Sequence, residues 1–142
     1  MQHHANQSYQ DDEILSADPL QLVRLLYRGA LNEIARARAC LATRDIVGRS
    51  QAITRAVRIL AELALSLNHS QGGTISRSLV ELYDYIQRLL VDANCRQADG
   101  PLEEAENLMS TLQDAWQRCE PLPQWRPGEQ EETAYTPISC AG

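Results

Sequence analysis

The feature that most constrains the fold is the stretch of residues 72–94, which has the apolar periodicity of one long amphipathic helix. Apolar side chains recur at steps of three and four residues, and charged side chains occupy the opposite side. The apolar stripe consists of Ile75, Leu79, Leu82, Ile86, Leu89 and Ala93, and it is widened by Val80, Tyr83, Tyr85, Leu90 and Val91. Such a helix needs helical neighbours, and its surplus apolar width indicates a further binding partner.

Three other segments have helical periodicity. Asp18 and Pro19 predict a helix start, because Asp18 is suited to cap the first turn and Pro19 fits the first helical position; this helix is expected to end near Ala42. Asp45 predicts a second cap, followed by the stripe Ile46, Ile53, Val57, Leu60, Ala64 and Leu67. A fourth helix is expected from Gly100-Pro101 onward. We therefore predict an all-α fold, an antiparallel four-helix bundle over residues 18–120.

The flanks of the predicted bundle differ from it in composition. Residues 1–17 are polar and acidic apart from Tyr9, Ile14 and Leu15, which predicts a flexible N-terminal arm whose three apolar residues can dock on the bundle. Residues 121–142 contain four prolines and an acidic cluster, which predicts a disordered tail.

Charge restricts the class of partner. The chain has 142 residues, a formal net charge of −6 and a calculated pI near 5.0, so nucleic acid and anionic membrane surfaces are poor partners. No apolar run has the length of a membrane span, and we expect a cytoplasmic protein without membrane insertion. The four cysteines are widely spaced and are expected to be reduced thiols: Cys40, Cys95, Cys119 and Cys140.

The sequence offers no constellation for catalysis, a metal or a cofactor. The apolar stripes contain neither carboxylates nor histidines, and the three histidines fall in the arm and in the loop at His69. A Glu-x-x-His metal motif is missing, and Gly72-Gly73 lacks the Lys that a phosphate-binding loop requires. We expect a protein that is not an enzyme and that holds no cofactor.

Four motifs in order then resemble one known family. They are Tyr9-Gln10 with Ile14 and Ser16-Ala17-Asp18-Pro19-x-Gln21-Leu22; Leu25-Leu26-Tyr27-x-Gly29-Ala30; Gly72-Gly73-x-Ile75 with Leu82-Tyr83-Asp84-Tyr85-Ile86 and Leu89-Leu90-x-x-Ala93-Asn94; and Asp114-Ala115-Trp116. Together they resemble the flagellar secretion chaperone family FliS, over residues 9 to about 116.

This resemblance implies a non-enzymatic cytosolic chaperone. It would bind the C-terminal segment of flagellin, prevent premature polymerisation, and hand the segment to the type III export gate, where the complex would meet the gate protein FlhA. Flagellin's end segment would dock as a helix in an apolar groove and fold on binding. For the free chain we expect a monomer or a weak homodimer.

We predict a groove for this partner from the helical stripes and their shoulders. Its residues are Leu26, Tyr27, Leu31, Ile53, Val57, Leu60, Val80, Tyr83, Tyr85 and Ile86. We further hypothesise that Tyr9, Ile14 and Leu15 cover part of the groove in the free protein, because an uncovered apolar strip invites self-association.

Two other classes of function are compatible with the same apolar faces. An adaptor or regulator that sequesters another amphipathic helical partner, such as an anti-sigma factor, would use them in the same way. A structural bundle that assembles with copies of itself would bury them between copies. Binding of a flagellin C-terminal peptide distinguishes the chaperone from the adaptor, and the oligomeric state distinguishes it from the structural bundle.

Overall fold

The structure, a computed structural model, describes residues 18–68 and 73–118. They form four α-helices: α1 (Pro19–Ala42), α2 (Ile46–Asn68), α3 (Gly73–Arg96) and α4 (Asp99–Arg118). The predicted all-α fold is confirmed. The third helix extends past the predicted Asn94, and the fourth begins at Asp99, just before the predicted Gly100. The arm with Tyr9, Ile14 and Leu15, the loop at His69 and the predicted tail lie outside the described residues.

Side chains at the predicted caps start the first two helices. The Asp18 carboxylate accepts a hydrogen bond from the backbone N–H of Gln21 at 2.7 Å, with Pro19 in the first turn. The Asp45 carboxylate accepts in the same way from the N–H of Gly48 at 2.9 Å. Each cap satisfies an N–H group that has no partner within its own helix, so both helix starts are fixed by local sequence.

The links at one end of the bundle are short and use left-handed backbone. Arg44, between α1 and α2, has a φ of 60°, and Gln97, between α3 and α4, has a φ of 52°. The N–H of Ala98 then bonds the carbonyl of Ala93 at 3.2 Å, which closes the last turn of α3. Links of two or three residues force consecutive helices to run antiparallel and place these two links side by side.

The four helices form a closed ring in which α1 and α3 each pack against α2 and α4. The ring encloses one core of aliphatic side chains, two tyrosines and one methionine. Its members are Val23, Tyr27, Ala30, Ile34, Ala37, Ala52, Ile53, Ala56, Leu60, Leu63, Tyr83, Ile86, Leu90, Ala93, Leu102, Ala105 and Met109. Small residues line the α1 and α2 sides, where a Cβ added at Gly29 would lie 3.3 Å from Ile59 Cδ1. Gly29, which has no side chain, therefore allows α2 to approach α1 closely.

A polar chain crosses this core between diagonal helices. The hydroxyls of Tyr27 on α1 and Tyr83 on α3 are 2.5 Å apart, and the indole N–H of Trp116 on α4 donates to the Tyr27 hydroxyl at 3.0 Å. The rings of Tyr27 and Tyr83 meet edge to face, with centroids 6.2 Å apart. Because hydrogen bonds are directional, these three hydrogen-bonded side chains fix the relative register of three helices more tightly than aliphatic contacts do.

Candidate functional site

Half of the residues predicted to line a partner groove lie in the core. Each is at most 3% exposed, so these side chains offer no surface to a partner in this conformation: Tyr27, Ile53, Leu60, Tyr83 and Ile86. Tyr83 differs most from its predicted position on the shoulder of the stripe, because its hydroxyl bonds Tyr27 inside the ring. These five residues support the helices that carry the surface.

The remaining five predicted groove residues reach the surface, but on different faces. Leu26, Leu31, Val57 and Val80 are half-buried, and Tyr85 is 42% exposed. The Tyr85 hydroxyl donates to the carboxylate of Glu104, which places Tyr85 on the side of α3 that faces α4.

Helical spacing assigns the other faces. Leu31 lies seven residues before Arg38, a residue that contacts α4, whereas Leu26 lies three residues before Gly29, which faces α2. The structure therefore does not gather the ten residues into one groove, and only Val57 and Val80 flank the same interface.

That interface, between α2 and α3, carries several apolar side chains at or near the surface, with the polar residues Thr54 and Gln87 among them. Ser50 on α2 donates to the side chain of Asn94 on α3 at 3.4 Å, so these two residues mark the facing sides of the two helices. Steps of three, four and seven residues from Ser50 and Asn94 stay on those sides and run antiparallel along the interface. We call the apolar residues along this edge the α2/α3 strip: Ile46, Val57, Ala61, Ala64, Leu65, Val80 and Val91.

Four of the seven members of the α2/α3 strip are exposed, and Val57, Ala64 and Val80 are half-buried. Ile46 is 57% exposed, Leu65 50% and Val91 50%, and Ala61 is also exposed. Sequence reasoning assigned Ile46 and Ala64 to the core stripe, noted Val91 as a shoulder, and missed Ala61 and Leu65. The available signal was spacing, because Val57, Ala61 and Ala64 repeat at four and three residues beside the buried stripe.

Buried tyrosine hydroxyls in this bundle stay neutral. Burial raises the pKa of the Tyr27 hydroxyl and that of the Tyr83 hydroxyl above the ordinary value. Their hydrogen-bond partners are each other and the indole of Trp116. The three side chains Tyr27, Tyr83 and Trp116 therefore include no group that exchanges protons at neutral pH. They are suited to holding structure and not to acid–base chemistry.

Among the described residues, one arginine forms ion pairs with three acids and so joins two helices. Arg38 on α1 donates from Nε and Nη2 to the two carboxylate oxygens of Asp99 at 2.8 and 2.7 Å, and from Nη1 to Glu106 at 2.6 Å. Glu103 lies 3.4 Å from the same guanidinium. The hydrogen bonds from Arg38 lower the pKa of the Asp99 carboxyl. All three acids lie in the first turns of α4, so these ion pairs join the start of α4 to α1.

No group of three or more His, Cys, Asp or Glu side chains suited to hold a metal ion occurs among residues 18–68 and 73–118. Over the same residues, no helix combines the length and the hydropathy that crossing a bilayer requires. The exposed apolar side chains of the α2/α3 strip are a surface feature suited to a peptide or protein partner.

Comparison with known proteins agrees with this architecture. The family model of flagellar protein FliS matches residues 1–122. The flagellar secretion chaperone FliS of Salmonella typhimurium strain LT2 is 37% identical over 112 residues, which cover 78% of this chain and 83% of that protein. The proteins of the same name from Bacillus subtilis strain 168 and Escherichia coli strain K12 are 32% and 31% identical, over 79% and 75% of this chain and 83% and 79% of their own lengths. The resemblance seen in the motifs is confirmed, and the chain belongs to the FliS family of flagellar secretion chaperones.

Proposed function

We propose that this chain is a cytoplasmic export chaperone that binds the C-terminal segment of flagellin, prevents its premature polymerisation and hands it to the type III export gate through FlhA. The observation that carries the proposal is the α2/α3 strip. Membership of a family of secretion chaperones supports it, because such a protein requires a surface for an export substrate.

The strip has the properties of a docking surface for an amphipathic helix. Its small members, Ala61 and Ala64, allow a third helix to approach α2 and α3 closely, and its larger members, Leu65, Val80 and Val91, offer aliphatic contacts at the rims. The core beneath is closed by Ile53, Leu60 and Ile86. The partner therefore adds to a finished bundle and does not replace one of its helices.

The N-terminal arm completes this proposal. Tyr9, Ile14 and Leu15 would cover part of the docking surface in the free protein and leave when flagellin binds. Deleting residues 1–15 is expected to leave the helix content unchanged while tightening flagellin binding or promoting dimers. Unchanged affinity together with a monomeric sedimentation profile would contradict a covering role for the arm.

Titration calorimetry with a peptide of about the last forty residues of flagellin tests the main proposal, with binding at 1:1 and a negative heat-capacity change expected. Ala61→Glu places a charge in the middle of the α2/α3 strip and is expected to weaken binding by about tenfold or more, because the carboxylate loses water on burial. Ala35→Glu is the matched control, since Ala35 is an equally simple exposed alanine on α1 away from the strip.

The outcomes separate the alternatives. Equal loss of affinity in both variants would indicate a general effect of charge and would refute the strip as the site. Absence of any binding by the unmodified chain would refute flagellin as the partner and favour an adaptor for another helical protein. Circular dichroism of both variants checks that the helices are intact.

A further inference from the structure

A pocket with two arginines lies at the end of the bundle where the α1–α2 and α3–α4 links meet. It measures about 370 Å³ and is lined by Leu41, Arg44, Ile46, Arg49 and Gln97. Ile46, one of the lining residues, is 57% exposed, and Val47, the next residue in the sequence, is 68% exposed. The pocket therefore combines positive charge with an uncovered aliphatic edge.

Arg49 is the unusual member of this pocket because it is only 5% exposed. Its Nε donates to the side-chain oxygen of Asn94 at 2.9 Å, and its Nη2 donates to the Asn94 carbonyl at 3.5 Å. Both acceptors are neutral. Neither Arg49 nor Arg44 takes part in any ion pair formed within the described part of the chain.

An unpaired buried charge is unfavourable, and a guanidinium already held in place by Asn94 loses little freedom when it gains a carboxylate. The surroundings of Arg49 thus favour an anionic group that enters from the open side of the pocket, past Arg44. An exposed arginine elsewhere on the bundle would gain much less from the same group, because solvent screens the pair.

The net charge of the chain lies outside the four helices. Residues 18–68 and 73–118 contain twelve arginines and twelve acidic residues, so they are neutral as a whole. The charge of −6 is divided equally between residues 1–17 and residues 119–142. These two terminal segments are the parts of the chain whose charge complements the arginine pocket.

Chain length allows only one of the two segments to bring its acids to the pocket. The acids of residues 1–17 lie at positions 11–13, and Asp11, the one farthest from α1, precedes that helix by eight residues. Fully extended, these residues reach at most about 29 Å from the start of α1. The helix α1 is itself about 36 Å long, and Arg44 lies beyond its far end, so these acids do not reach the pocket. The acids at 129–132 follow the end of α4 by eleven to fourteen residues, so an extended chain carries them about 36 Å or more from that end. The pocket lies near the start of α4, about 30 Å from its end, and is therefore within their reach.

We propose that the acidic run Glu129-Gln130-Glu131-Glu132 of the C-terminal segment is an intramolecular ligand of the arginine pocket. A glutamate carboxylate pairs with Arg49, a second pairs with Arg44, and the aromatic residues that flank the run, Trp125 and Tyr135, cover Ile46 and Val47. The proposal does not depend on the identity of the export partner, because it joins two parts of one chain.

Backbone NMR spectra of the full chain test this contact. Replacing Glu129, Glu131 and Glu132 together by Gln is expected to shift the amide signals of residues 41–49 and 94–97. Arg44→Asn keeps a residue type that tolerates left-handed backbone. In the Arg44→Asn protein, the triple Gln replacement is expected to move the pocket signals by at most half as much as it does in the wild type. Raising NaCl to about 0.5 M should act in the same direction on the wild type.

Arg58→Gln is the matched control, because Arg58 is an exposed arginine of α2 outside the pocket. It is expected to leave the amide signals of residues 129–132 unchanged, while Arg44→Asn moves them. The proposal is overturned if the triple Gln variant leaves the pocket signals in place. It is equally overturned if Arg58→Gln moves the tail signals as much as Arg44→Asn does, since the tail would then respond to charge in general and not to this pocket.

Discussion

The hydrogen-bonded chain Trp116–Tyr27–Tyr83 allows a quantitative prediction, because its two tyrosine hydroxyls are not equivalent. An indole N–H can only donate, so Tyr27 accepts from Trp116 and its own hydrogen is available for Tyr83. Tyr27→Phe therefore removes the partner of two groups, the Trp116 N–H and the Tyr83 hydroxyl. Tyr83→Phe removes the partner of one group, the Tyr27 hydroxyl.

A buried polar group left without a partner costs about 1–3 kcal/mol. We expect Tyr27→Phe to lower the free energy of unfolding by about 2–4 kcal/mol, with the half-buried Trp116 contributing at the low end, and Tyr83→Phe to lower it by about 1–2 kcal/mol. In the double variant the stranded Tyr83 hydroxyl is absent. The double variant is therefore expected to be at least as stable as Tyr27→Phe alone, which is a strongly non-additive result.

Urea unfolding of the wild type, both single variants and the double variant at one pH completes the thermodynamic cycle. Additive losses, or a loss below about 0.5 kcal/mol for Tyr27→Phe, would refute the coupled chain. Flagellin-peptide affinity measured on Tyr83→Phe adds a second readout. Because Tyr83 is buried, we expect affinity to change little; a large loss with unchanged stability would place Tyr83 in the binding site.

Two further changes test how the helices are joined. Arg38→Met is expected to lower the free energy of unfolding by about 1 kcal/mol. Because Arg38 lowers the pKa of Asp99 below its ordinary 3.8, the Asp99 part of this loss should be complete above pH 3.8 and should vanish as the pH falls through the pKa in the folded state. Urea unfolding of both proteins across the acidic range measures the difference in the free energy of unfolding. A difference that does not depend on pH would contradict the role of Asp99. Gly29→Leu should cost about 1–3 kcal/mol by pushing Ile59 away, whereas exposed Ala35→Leu should be nearly neutral in the same assay.

Local chemistry made the helix boundaries predictable. Asp18, Pro19 and Asp45 act within one turn of their own position, so their effect can be read from the neighbouring residues alone. The fourth helix begins one residue earlier than predicted, and its first residue, Asp99, is held by Arg38 of α1. That interaction crosses about sixty residues of sequence, and no local pattern announces it.

The division between core and surface was only partly predictable. Apolar spacing identifies the inward side of a helix but not how far its neighbours cover it. Ile46 and Ile75 continue the predicted stripes, yet they are 57% and 43% exposed because they lie at helix starts, where the adjoining helices no longer cover them. Arg49 shows the converse: it occupies the inward side four residues before Ile53, and only the position of Asn94 on α3 explains how a charge is tolerated there.

The size of the α2/α3 strip sets a lower limit on the length of its partner. Leu65 and Val91 are each 50% exposed, so covering them contributes about 1 kcal/mol apiece. Ordering a disordered segment costs about 2–5 kcal/mol, and association itself costs at least about 4 kcal/mol. The strip alone therefore does not hold a partner tightly.

Tight binding requires contact with other faces as well, and exposed Tyr85 and Ile75 extend the apolar surface around α3. In calorimetry, a flagellin peptide of about fifteen residues, enough to form one helix on the strip, is expected to bind with a Kd near or above about 1 mM. A peptide of about forty residues, which can continue around α3, should bind at least about a hundredfold more tightly. Equal affinities for the two peptides would show that one helix on the strip is sufficient and would contradict a partner that wraps around the bundle.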